Sequence, residues 1–404
     1  MKDNTSLRAG TRDYETLFQS LILDPLKDLH IVGPILVVID ALDESGNATG
    51  RAGLHTFLAK NLIRLPSNFR VLITSRPEDG IERALVGAPS VKITHMTDAE
   101  LAATTHDDIL VFLQEKLPSD EFRKYGDALA MKAEGLFQWA AVASQFILDP
   151  PGRFAYSKRK CINHLLKAGA NRDGQDPLDE LYKEVLEGYF TDREARVLFR
   201  SVVGLLITSI EPISIRTLTA LRRHTVSDDD DDADDGAVVI LLNRLGSLLS
   251  NVNSSNENLP IIPLHTSFRD FLTNREKSSD FWVDLQGTHR QMAHSCLVVL
   301  LYGLKFNICH LETSYLANKD VTDLESRVDE YIPPALLYAC RFWDNHLEHI
   351  GFETGLFGKL QSFFEKKLLF WLEALSLTNY VGLALAACSA LSTWLASDQC
   401  SVIT

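Results

Sequence analysis

Cysteine is scarce and unpatterned in this 404-residue chain: six are present, no two form a CxxC pair, and none precedes Cys161. A secreted scaffold held by disulfides is shorter and much denser in cysteine, so the pattern reads as a reducing, cytoplasmic protein. Positive charge is in deficit, with 40 Lys and Arg against 54 Asp and Glu and a formal charge of −14. That balance argues against a nucleic-acid partner, whose phosphates need cations, and against adsorption to an anionic membrane. The first twenty residues contain no apolar core, so no secretory signal is read there. Long uncharged runs are nearly absent. The exception is Ala374–Ser397, long enough to span a bilayer. Ser, Thr and Asn interrupt it, and Asn379 and Gly382 mark a break, so it reads as two buried helices. GxSxG and GxGxxG are also missing, which removes support for an esterase or a dinucleotide-binding enzyme.

What is present changes character along the chain. Residues 35–39 (ILVVI) and 71–74 (VLIT) are unbroken apolar runs, which suit parallel strands covered on both faces. Between them, residues 54–65 carry apolar positions at helical spacing, giving a βαβ unit. SVKIT at 90–94 suggests a third short strand. From 104 to 190 every periodic segment reads as helix: 109–117, 122–133, 136–148, 161–168 and 178–190, with breakers at Pro118, Gly135, Pro150-Pro151 and Gly174. Residues 192–208 predict a helix capped by Thr191, and Ser214 caps the next. A third helix (238–250), a polar turn, an apolar strand (LPIIPL) and the helix HTSFRDFLTN outline a winged helix. The remainder predicts helices over 287–304, 331–349, 356–377 and 381–396. The organisation expected is 1–103, 104–190, 191–278 and 279–404.

One constellation carries chemistry. ILVVIDALDES places Asp40 at the end of a buried strand, followed by Asp43 and Glu44. Carboxylates at the carboxyl edge of a parallel sheet face the crevice where such sheets bind ligands. There they can hold Mg²⁺ against a nucleotide phosphate. The next strand ends in Thr74, Ser75 and Arg76, setting a guanidinium at the same edge, where it could read a phosphate. A lone acid after a strand would read as a loop residue or a helix cap; the combination is more specific.

VVIDALDE followed by FRVLITSRPE resembles the Walker B and sensor 1 segments of NACHT-type STAND NTPases, fungal ones most closely. GLFQWAAVASQFI, PLDELYKEVL, LHTSFRDFLTN, YACRFWDNHL and FEKKLLFWLEALSL are similar to the helical and winged-helix regions of that family. The resemblance implies an α/β partial P-loop-NTPase sheet followed by a mostly α chain: helical subdomain, winged helix and C-terminal helical array. It implies Asp40 as the Mg²⁺-linked acid, Asp43 and Glu44 as supporting acids, and Arg76 as the phosphate sensor. His265 matches the histidine that contacts the ADP phosphate. Gly135-Leu136-Phe137 stands where relatives have Gly-x-Pro near adenine. No GxxxxGK(S/T) occurs in the sequence, and no WD-repeat signature follows. The expectation is therefore a truncated nucleotide-switch regulator that does not hydrolyse ATP by itself, with ATP/ADP and Mg²⁺ as the cofactors of intact relatives. Protein partners, either full-length paralogues or further copies of the chain, are expected. The alternatives are a nucleotide-independent scaffold or decoy, or an incomplete gene model of an active NTPase.

Blander readings accompany several residues. His265 can simply cap a helix. His289, His294, Cys296, Cys309 and His310 match no zinc spacing, and His346 and His349 do not form HExxH, so all read as helical packing. Seven Asp within 228–235 read as a solvated loop, which disfavours DNA binding by the winged helix. The aromatics after residue 338 read as core.

Overall fold

A computed structural model describes residues 14–27, 33–45, 48–76, 79–85, 91–95, 99–150, 157–167, 176–224, 235–252 and 257–401. The chain divides into two compact units, Met1–Leu101 and Ala102–Thr404. A small parallel sheet lies in the first, and the described chain is otherwise mostly helical.

In the first unit β1 (Ile35–Ile39) and β2 (Phe69–Ile73) pair in parallel, Ile35 opposite Phe69 and Ile39 opposite Ile73. The helix Ala48–Asn61 forms the crossover. Ile39, Leu54, Phe57 and Ile73 pack around buried Leu42, Leu58, Ile81 and Leu85. The other face is bare: Leu36 is 65%, Val38 56% and Leu72 52% exposed. The expectation of a sheet covered on both faces is thus corrected. One crossover covers only one face, because side chains alternate along a strand. Residues 91–95 form no strand, so the third-strand expectation fails over them; Ser90 lies outside the described residues. β2 also begins two residues earlier than the sequence suggests.

The described part of the N-terminal segment is helical and leans on the crossover helix. Phe18 packs edge-on to Phe57 at 5.5 Å, and Arg64 bonds both Glu15 and Gln19. It leaves the outer edges of β1 and β2 without a strand partner among the described residues.

In the second unit one buried cluster runs from Ile109 to Trp394. Helices Phe137–Leu148 and Pro177–Tyr189 form part of its early section. Arg193–Thr208, Ile215–Arg222 and Asp235–Arg244 follow, with a short antiparallel pair of β3 (Leu249–Ser250) and β4 (Ile262–Pro263). The C-terminal part comprises helices Leu285–Gly303, Leu324–Tyr331, Pro334–Leu347, Thr354–Lys366, Leu368–Leu377 and Leu383–Ser401. The late aromatics are core: Trp343, Phe363 and Trp371 are buried and meet one another with centroids 5.6 to 6.0 Å apart.

Helix ends show where local signals govern. Ser214 accepts from the Thr217 amide, as its sequence position predicts. The cap of the long helix is Asp192, which accepts from Ala195 N–H at 2.7 Å; Thr191 does not cap it. A carboxylate is the stronger acceptor next to a helix N-terminus. The helix expected over 331–349 begins only at Pro334, because Pro333 and Pro334 cannot continue an incoming helix. The helix expected over 356–377 breaks at Lys367 (φ −127°, ψ −7°), whose ammonium donates to the Leu304 carbonyl at 2.7 Å. Asn379 takes a left-handed φ of 63° between the last two helices. No described helix is long and apolar enough to cross a membrane.

Candidate functional site

The parallel pair brings four candidate residues to one carboxyl edge. Thr74 N–H donates to the Ile39 carbonyl at 3.0 Å, and Leu42 N–H donates to the Thr74 carbonyl at 2.9 Å. The strand ends are therefore tied just where the acids begin. The Thr74 hydroxyl donates to Asp40 Oδ1 and accepts from Ala41 N–H at 2.9 Å. This holds the exposed Asp40 carboxylate at the edge. Ala41 adopts φ 51° and ψ 52°, the left-handed region that costs an L-residue about 1–2 kcal/mol. Such strain persists where the surroundings impose a geometry.

Asp43 occupies a different place. It is only 4% exposed. Its Oδ2 accepts Arg76 Nε–H at 2.6 Å, while Oδ1 accepts Arg76 N–H at 3.0 Å and the Ser75 hydroxyl at 3.3 Å. Burial by itself would raise its pKa, but the Arg76 side chain and backbone N–H favour the anion and hold it below the ordinary carboxylate value. Asp43 thus orients Arg76, whose side chain remains 46% exposed. Glu44 ends the turn Leu42–Glu44; its side chain lies outside the described residues. Sequence reasoning placed Thr74 and Ser75 at this edge but missed their bonds to the two acids.

His265 belongs to the second unit and is described separately. It caps the helix Thr266–Thr273: its Nδ1 accepts from Ser267 N–H at 3.1 Å and lies 2.7 Å from the Ser267 hydroxyl. That hydroxyl is 2.8 Å from the Tyr182 phenol. Burial pushes the Tyr182 phenol up to about 12, so it stays a neutral donor. The exposed ring's Nε2 has no hydrogen-bond partner among the described residues. Gln138 stands one turn after Gly135, which follows Glu134 in a left-handed turn with φ values of 82° and 50°. The fold holds His265 through Ser267 and Tyr182. Sequence reasoning singled out His265 and missed Ser267 and Tyr182. A serine two residues after a helix-capping position was the available signal.

The histidines and cysteines near 289–310 do not gather. His289 pairs with His346, His294 meets Glu353 at 3.1 Å, and Cys296 is wholly buried. No group of three potential ligands able to hold a metal ion occurs among the described residues. Of the acidic run at 228–235, only Asp235 is described; it pairs with Arg223.

Residues 2–76 fit the family model described as Nephrocystin 3, N-terminal, a family related to NACHT-containing proteins. The match covers β1, the crossover helix, β2 and Arg76. No curated protein and no solved structure matches the chain.

Proposed function

We propose that this chain is a nucleotide-controlled regulator of the NACHT-type STAND class, acting as a switch module that does not hydrolyse ATP by itself. The observation that carries the reading is the gathering of Asp40, Asp43, Thr74 and Arg76 at the carboxyl edge of a parallel pair. In this reading Asp40 meets Mg²⁺ on a nucleotide phosphate, with Thr74 fixing its carboxylate. Arg76, aimed by Asp43, reads a phosphate oxygen, and Glu44 supports the acidic edge. His265 supplies a phosphate contact through Nε2, its ring held by Ser267 and Tyr182.

The helical subdomain (104–190), winged helix (191–278) and C-terminal array (279–404) then relay the bound state to a protein partner, a full-length paralogue or a second copy, in the cytoplasm. Hydrolysis is not assigned because no GxxxxGK(S/T) in the sequence supplies the lysine and backbone cradle that phosphoryl transfer needs.

A nucleotide-independent scaffold or decoy is the second reading. The Asp43–Arg76 ion pair favours it, because the cation is neutralised within the chain. Titration of a fluorescent ADP analogue with Mg²⁺ into the full chain, with phosphate release measured in parallel, separates the two. The switch reading expects binding weakened about tenfold or more by Asp40→Ala, the scale of one charge-assisted contact, without phosphate release. Absent binding supports the scaffold, and phosphate release abolished by Asp40→Ala overturns the assignment of no hydrolysis.

A further inference from the structure

A buried polar chain inside the second unit involves none of the residues of the two sites above. His289 on helix Leu285–Gly303 and His346 on helix Pro334–Leu347 face each other, Nδ1 to Nδ1, at 2.9 Å. His346 Nε2 is 3.0 Å from the Tyr338 phenol, which accepts the Ile210 amide N–H at 3.0 Å. Ile210 sits in the turn between helices Arg193–Thr208 and Ile215–Arg222. The chain of bonds thus joins three parts of the unit. His346 is fully buried, Tyr338 2% and His289 7% exposed.

One proton arrangement satisfies these groups. The Ile210 amide can only donate, so Tyr338 accepts it and gives its own proton to His346 Nε2. His346 then carries its proton on Nδ1 and donates to His289 Nδ1. Both rings are neutral. A further proton on either ring gives the buried chain one donor more than it has acceptors, and the Tyr338 hydroxyl or a ring N–H is left unpaired. The neighbours do not help a cation: the His349 ring lies 4.1 Å from that of His289, and Arg269 repels the same site. Burial first, then His349, holds His289 down to about 4; burial, His289 and His349 hold His346 down to about 3. Cys296 near Tyr338 is a buried neutral thiol, Glu211 on the Ile210 turn pairs with Arg341 at 2.7 Å, and burial pushes Asp344 up to about 6.

We propose that the Ile210–Tyr338–His346–His289 chain is an acid-released latch, whose protonation detaches helix Pro334–Leu347 from helix Leu285–Gly303 and from the Ile210 turn. The sign follows from linkage. Both rings bind protons less readily when closed than when freed, so falling pH favours the open form once it passes the ordinary histidine value. At about pH 5 each freed histidine favours opening about 30-fold, and loss of the buried protonated Asp344 opposes it about tenfold, leaving a net rise of about a hundredfold. The Glu211–Arg341 ion pair is a second tie between helix Pro334–Leu347 and the Ile210 turn, and it opposes the opening.

The test is amide hydrogen exchange at Ile210 in the full chain, corrected for intrinsic rate, at about pH 7.5 and about pH 5. Expected is a rise of roughly a hundredfold in the parent, falling to a few-fold or less in His289→Gln/His346→Gln. Nitrogen-15 shifts of the ring atoms at neutral pH report the tautomers, protonated Nδ1 on His346 and unprotonated Nδ1 on His289. Tyr338→Phe, a smaller change, deprotects Ile210 at neutral pH and removes the bond that fixes the His346 tautomer. Ile210 exchange that is the same at both pH values, an acid rise retained in the double variant, or tautomers opposite to these overturns the latch.

Discussion

Asp43→Asn tests whether the edge of the small sheet is held by a buried charge. The substitution keeps shape and volume. The amide oxygen can still accept Arg76 N–H, now 3.0 Å away. The other position, where Oδ2 accepts Arg76 Nε–H at 2.6 Å, becomes either a donor facing a donor or a neutral acceptor. A hydrogen bond to a charged group contributes about 1.5–3 kcal/mol. Arg76 is 46% exposed, so solvent screening reduces this, and about 1–2 kcal/mol is the expected loss. That corresponds to about a 5- to 30-fold rise in local opening. Hydrogen exchange of the full chain, followed on peptides covering 36–45 and 69–76, reads it directly. Peptides from 285–377 are the internal control and should not change. A pH arm checks the cause. Because Arg76 depresses the Asp43 pKa below its unfolded value, the contribution is present above the ordinary Asp range and is lost as pH falls through the folded value. The parent should therefore show an acid-induced opening of these peptides below about pH 4, and the Asn variant should lack that step. Exchange identical in parent and variant, at neutral and acid pH, would refute the claim that the carboxylate carries a load.

Ala41→Gly should leave the fold intact and slow local opening of residues 36–45, by up to about 1 kcal/mol, because glycine accepts φ 51° without a Cβ clash; faster opening would mean Ala41 is unstrained. Gly204→Ala should destabilise the second unit by about 1–2 kcal/mol in a urea titration, since its Cβ would meet Thr288 Oγ1 at 3.3 Å and Val283 Cγ1 at 3.4 Å. Tyr182→Phe should lower the urea midpoint by an amount equal to about 1 kcal/mol and weaken any effect of His265→Ala on nucleotide binding, because Ser267 loses its phenol partner. Unchanged coupling between the two substitutions would show that Tyr182 does not position His265.

The amino-acid sequence determined the local pieces, because their causes are local. Five consecutive β-branched or leucine residues at 35–39 make a strand, Ser214 caps its helix, and Asn379 ends one. The order acid, helix, strand, Thr-Ser-Arg was enough to put Asp40 and Arg76 at one sheet edge, since a parallel pair joined by one crossover leaves no other end for them. Tertiary structure decided which faces meet. ILVVI reads as covered on both sides, yet its odd positions are half-buried, with Ile39 against the helix cluster, and Leu36 and Val38 stay bare. It also decided that Asp43, not solvent, receives Arg76, and that His289 finds His346 across 57 positions rather than the cysteines beside it. Periodicity reports that a face is apolar. The identity of its partner depends on how the chain returns through space, and neighbouring residues do not encode that in their own spacing.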